Sequence, residues 1–151
     1  MPANLRRRRQ VLATMSAVLR SEEQAVATTV GEYAALLDIG MGKYQKLNEY
    51  FAEYLQAMRG SQSESHIDPA ERTRKQLFLN RLQSVIEQQQ RENNSIEQRL
   101  VQVRELWIEA RHRAESMNDR LEDVTRQEQQ EKNRRQQSHD EEETMQRHCY
   151  R

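Results

Sequence analysis

The sequence predicts an all-α fold, a long antiparallel two-helix coiled-coil hairpin with an overhanging C-terminal helical tail. Three observations predict it: a composition too polar for a compact core, two heptad stripes of apolar residues, and one short polar break between them. Apolar residues make up 35% of the 151, charged residues 32%, and there are four glycines and two prolines. A globular domain carries about 45–50% apolar residues with glycine counted in, so a deep core is excluded. The scarcity of Gly and Pro argues equally against turn-rich β architecture and against a Pro/Ser-rich linker. The 24 basic and 24 acidic side chains cancel, which removes any bulk attraction to nucleic acid or acidic lipid. The length fits one domain, 1–151.

The first helix is expected over 5–59. Steps of seven from Leu12 give Leu19, Val26, Tyr33, Gly40, Leu47 and Tyr54, and steps of seven from Val30 give Leu37, Tyr44, Phe51 and Met58. The two series are offset by four, the a/d spacing that keeps one seam toward a partner helix. The start, with Arg6, Arg7, Arg8, Arg9 and Arg20 and no acid, has the composition of a targeting peptide. Its apolar stretch from Val11 to Leu19 is broken by Thr14 and Ser16 and continues in register with the long stripe, so it reads as helix. Gly40-Met41-Gly42 marks a local flex or a close helix approach, since each glycine costs about 1 kcal/mol against alanine. Gly60 ends the run, because glycine takes the left-handed conformation of a helix stop at low cost.

A loop is expected over 60–68, and Asp68-Pro69-Ala70-Glu71 opens the second helix. Asp68 can cap a free backbone N–H, and Pro69 loses nothing at a position that needs no donor. From Leu79, steps of seven give Ile86, Asn93, Leu100, Trp107, Ala114 and Leu121; from Leu82 they give Gln89, Ile96, Val103, Ala110, Met117 and Val124. Gln89 and Asn93 interrupt this seam one turn apart, as a register-setting polar step or as functional groups. The next members, Glu128 and Glu131, are polar. The paired stretch is therefore expected over 69–124, and 125–151 as an overhanging, frayed or disordered tail. Matching the helix ends across the turn sets Leu5 opposite Asp123, Arg9 opposite Asp119 and Arg6 opposite Glu122. At ~1.5 Å per residue a helix of about 55 residues reaches ~80 Å, so a rod is expected.

Chemistry is sparse. No GxxxxGK[ST] or GxGxxG loop follows a strand, and Gly40-Met41-Gly42 lies inside a helix. Cys149, His148 and His139 sit in a tail with no core to fix them as metal ligands, and His66 and His112 lie on polar stretches. The carboxylates at Glu22-Glu23 and Asp140 to Glu143 lack an enclosing pocket. No catalytic residue, cofactor, metal, small-molecule substrate or nucleic-acid partner is expected, and the chain reads as a non-enzyme. The single cysteine excludes an internal disulfide framework and points to a reducing compartment.

What stands out is an excess of large residues near the turn. Tyr44, Tyr50, Phe51, Tyr54 and Leu55 crowd the end of the first helix, while Leu77, Phe78, Leu79, Leu82, Val85 and Ile86 open the second. A two-helix seam uses two positions per heptad, so Tyr50, Phe78 and Val85 are left on a flank. Such a flank marks a partner surface, unless supercoiling buries it within the hairpin.

The run Leu47-x-x-Tyr50-x-x-x-Tyr54, the short polar loop, Phe78-Leu79-x-x-Leu82-x-x-x-Ile86-Glu87-Gln88, and Trp107 followed by Glu109 and Arg111 resemble the FliJ family of the flagellar type III export apparatus. The resemblance covers about residues 5–145 and rests on the block from Leu47 to Trp107. It implies a long antiparallel coiled coil like the central stalk of rotary ATPases, cytoplasmic and held at the inner-membrane export apparatus through partners only. The implied partners are the hexameric export ATPase, the cytoplasmic domain of the gate protein FlhA, and export chaperones. The FlhA-facing surface would be Leu47, Tyr50, Tyr54, Phe78, Leu82 and Val85, with Lys43 and Gln89 departing from the family pattern at its edge. The ATPase-facing end would be the N-terminus with the start of the overhang, holding Arg6, Arg7, Arg8 and Arg9 and roughly Asp119 to Arg135. The alternatives are the stalk of a virulence type III secretion system and a plain coiled-coil scaffold without an ATPase partner.

Overall fold

The structure, a computed structural model, describes residues 2–61 and 68–150. Two helices account for nearly all of them: α1, Pro2–Ser61, and α2, Pro69–Cys149, packed against each other as a helical hairpin. Apart from its ends, the loop expected over 60–68, His66 included, lies outside the described residues.

The start of α2 forms as the local sequence dictates. The Asp68 carboxylate accepts a hydrogen bond from the Ala70 backbone N–H at 3.2 Å, and its carbonyl accepts from Glu71 and Arg72 at 3.1 Å each. The end of α1 differs from expectation. No glycine has a positive φ, so Gly60 takes no left-handed turn and the helix runs through it to Ser61.

Polar side chains on both helices find partners within their own helix. Hydroxyls of Thr14, Thr73, Ser84, Thr125 and Thr144 bond back to the carbonyl four residues earlier, which satisfies them without breaking the helix. Pairs at i,i+4 such as Arg111–Glu115 at 2.9 Å and Lys75–Glu71 at 3.8 Å add about 0.2–0.5 kcal/mol each.

The chain divides into two compact units, each built from both helices. The distal unit is Thr28–Glu105. Its seam follows the two heptad series, with Leu79, Ile86, Leu100 and Val103 buried and Leu37, Tyr44, Leu47, Phe51 and Tyr54 half-buried opposite them. Burying one such side chain contributes about 1.5–3 kcal/mol. Gly40 is buried here, and a Cβ on it would collide with the Asn93 side chain, whose oxygen accepts from Gln89 Nε2 at 3.0 Å. Gly40 therefore marks a close approach of the helices, and the Gln89–Asn93 step fills the space it leaves. Gly42, two residues on, faces open space.

The terminal unit is Met1–Ala27 with Leu106–Arg151. Ala114 and Val124 are buried, but so are Ser16 and Glu128. Arg9 Nε lies 2.8 Å from Glu128 Oε2. This corrects the register inferred from the helix ends: Arg9 meets Glu128, more than a heptad beyond Asp119. Pairing extends past Val124 to Glu128 and Glu131, and from Lys132 to Tyr150 every residue is exposed. That stretch is helical to Cys149. Beyond Arg135, with no α1 residue among the described residues beside it, α2 depends on its own ladder, including Gln137–Glu141 and Arg147–Glu143.

Candidate partner-binding surfaces

In the distal unit the seam alternates between heptad positions a (Tyr44, Phe51, Leu79, Ile86) and d (Leu47, Tyr54, Leu82, Gln89). Tyr50, Phe78 and Val85 then all fall at g. In an antiparallel pair the d residues of one helix lie beside the g residues of the other, so the two g rows share one side of the hairpin. The Tyr54 and Phe78 rings show this contact, with centroids 4.7 Å apart and planes tilted by 50°. Such a pair contributes about 0.5–1.5 kcal/mol beyond burial.

The six residues of the expected gate-facing surface therefore divide by role. Leu47, Tyr54 and Leu82 are half-buried in the seam. Tyr50, Phe78 and Val85 are 63%, 49% and 48% exposed, so supercoiling does not bury them. Lys43 and Glu92, both exposed, occupy the g positions that follow, and they bound the apolar row with charge on both helices. Gln89 sits in the seam bonded to Asn93 and serves the fit around Gly40.

The four arginines of the terminal unit also separate. Arg6, Arg7 and Arg8 are exposed, whereas Arg9 takes a seam position. Its Nε is close to Glu128 but is not aligned for a hydrogen bond, and the Glu128 carboxylate also meets Lys132 Nζ at 3.5 Å. Arg6, Arg9, Glu128, Lys132 and Arg135 line one surface groove. Sequence reasoning missed the Arg9–Glu128 pair. The signal was present: steps of seven backward from Val30 pass Glu23 and Ser16 to reach Arg9, as steps forward from Leu121 reach Glu128.

Trp107 occupies the seam of the terminal unit half-buried, its indole N–H without an acceptor, and the Arg111 guanidinium lies 5.4 Å over its ring. Among the described residues no three of His, Cys, Asp and Glu converge on a metal position, and no helix is long and apolar enough to cross a membrane.

A family model described as flagellar FliJ protein matches residues 9–148. No curated protein and no solved structure matches the chain. The family match runs from Arg9 in the terminal seam, through both helices, to the end of the exposed stretch of α2. The chain belongs to the FliJ family, and with it to flagellar type III protein export.

Proposed function

We propose that the chain is a non-catalytic coupling component of flagellar export. It inserts as a stalk into the hexameric export ATPase, promotes hydrolysis there, and links the ATPase to the gate protein FlhA and to export chaperones. The observation that carries this reading is the apolar g row of the distal unit. Tyr50, Phe78 and Val85 lie outside the a and d positions, share one side, and are exposed. Exposed aromatic and branched side chains in a charged surround are what a protein interface uses as anchors.

A two-helix stalk inside a six-fold ring presents a different face to each subunit boundary. Only contacts that differ between open and closed boundaries can shift their populations, and the asymmetry of a hairpin supplies such differences. The exposed Arg6, Arg7 and Arg8 at the terminal end supply charge for that contact. The family description names the flagellar protein, which favours this system over the virulence counterpart.

Binding of the FlhA cytoplasmic domain tests the distal surface. Tyr50→Ala with Phe78→Ala should weaken binding at least about tenfold, the loss of roughly 1.4 kcal/mol or more. Helicity should be retained and the melting temperature should move by only a few degrees. Unchanged binding, or a large loss of helix, would contradict the assignment.

A further inference from the structure

α1 carries a second stripe on its outer side. Seven large apolar residues of α1 are exposed, and six of them, Val11, Met15, Val18, Leu36, Ile39 and Tyr50, fall at heptad positions c and g. Positions b and f of the same helix hold no large apolar residue. In the terminal unit Val11, Met15 and Val18, exposed by 53%, 45% and 53%, recur at steps of four and three. That is the spacing of a seam for one more helix.

The walls beside this stripe are basic. α1 has no acid between Pro2 and Ser21, and Arg7 and Arg8 occupy f and g next to Val11. Across the hairpin, Leu19, Arg113, Met117 and Arg120 border one groove, which sets the g row of α2 on the Met15 side. Arg7, Arg8 and Arg120 have no ion pair among the described residues, and Arg113 meets only Glu109, at 3.8 Å.

We propose that the stripe Val11–Met15–Val18 is the docking surface for an amphipathic helix of another protein whose apolar stripe is bordered by carboxylates. Its width of two heptad positions suits a helix. A membrane-surface helix shows a broader apolar face with larger side chains. No exposed aromatic stands among Val11, Met15 and Val18 to stack a base. A second copy is an outcome of the test, since α2 exposes Val101, Leu106 and Ile108 among Glu97, Glu105 and Glu109: self-association of the parent chain that the serine variant loses would overturn the assignment to another protein. The surface shares Arg7 and Arg8 with the end proposed to meet the export ATPase and contains none of Tyr50, Phe78 and Val85, so it holds whether or not those three engage the gate.

The test uses the full chain and a labelled three-heptad peptide with Leu at two positions per heptad and Glu around them. Its Lys counterpart, vesicles of phosphatidylcholine with phosphatidylserine, and a DNA duplex are the comparison arms. The Glu peptide should bind, and Val11→Ser with Met15→Ser and Val18→Ser should weaken it at least about tenfold. Arg7→Glu with Arg8→Glu and Arg120→Glu should transfer the preference to the Lys peptide. Tyr50→Ala with Phe78→Ala should bind the Glu peptide as the parent does. If the serine variant loses helix content, the arginine variant, altered only at exposed positions, decides. No binding of the Glu peptide, equal binding of both peptides, or indifference to the stripe would overturn the proposal. So would stripe-dependent binding of vesicles or DNA alone.

Discussion

The distal and terminal units have the same two-helix seam and fill it with different chemistry. The distal seam buries Leu79, Ile86 and Leu100, and its one polar step, Gln89–Asn93, is matched to a glycine. The terminal seam buries Ser16 and Glu128 and closes on an Arg–Glu pair. Outside, the distal unit shows an apolar row and the terminal unit arginines. A heptad repeat therefore dictates how the helices pair, but leaves each unit free to set its own stability and its own partner chemistry.

That contrast can be broken, beginning with the seam itself. Leu100→Ala in the distal unit should cost about 2–4 kcal/mol in urea unfolding, whereas Val124→Ala in the terminal unit should cost about 1–2. Equal costs would mean that the two seams contribute alike. Arg9→Ala, which leaves the Glu128 carboxylate to Lys132 alone, should cost about 1–3 kcal/mol, while Arg9→Leu with Glu128→Leu should melt no lower than the parent. A lower melting temperature for the double leucine variant would show that the pair stabilises the unit and does not merely set its register.

The glycines make a finer comparison inside one unit. Gly40→Ala gains up to about 1 kcal/mol of helix propensity but forces the hydrogen-bonded Asn93 side chain aside, for a net loss of about 1–2. Gly42→Ala meets open space and should gain up to about 1 kcal/mol. Thermal melts of the two variants should therefore move in opposite directions. The smallest expected change in stability belongs to Tyr50→Ala, at about 0.5 kcal/mol or less, because its ring has no seam role.

Much of this was legible in the residues. Apart from Lys75, the a and d positions that the structure buries or half-buries in the distal seam lie in the series from Leu12, Val30, Leu79 and Leu82, while Thr29, Ala34 and Leu55 are half-buried on its flanks. The same count left Tyr50, Phe78 and Val85 unplaced, and they are exposed. The register was harder to read. Matching Arg59 to Pro69 assumed that α1 stops at Gly60, but a helix is free to run through glycine when no left-handed turn is required. A search for apolar members also ends at Val124, and so passes over a seam that continues with Glu128 against Arg9. Polar residues at seam positions in both helices are the signal that would have aligned them. The outer stripe of α1 escaped notice for a related reason. Single exposed Val and Met residues are common on any surface, and they become a pattern only when the seam is fixed and their heptad positions can be assigned.

The most direct test of the account is steady-state hydrolysis by the cognate export ATPase with and without the purified chain. At stoichiometric excess the chain should raise the rate, and Arg6→Glu with Arg7→Glu and Arg8→Glu should reduce that stimulation while Tyr50→Ala with Phe78→Ala leaves it intact. A hydrolysis rate unchanged by the parent chain would contradict the proposed coupling role.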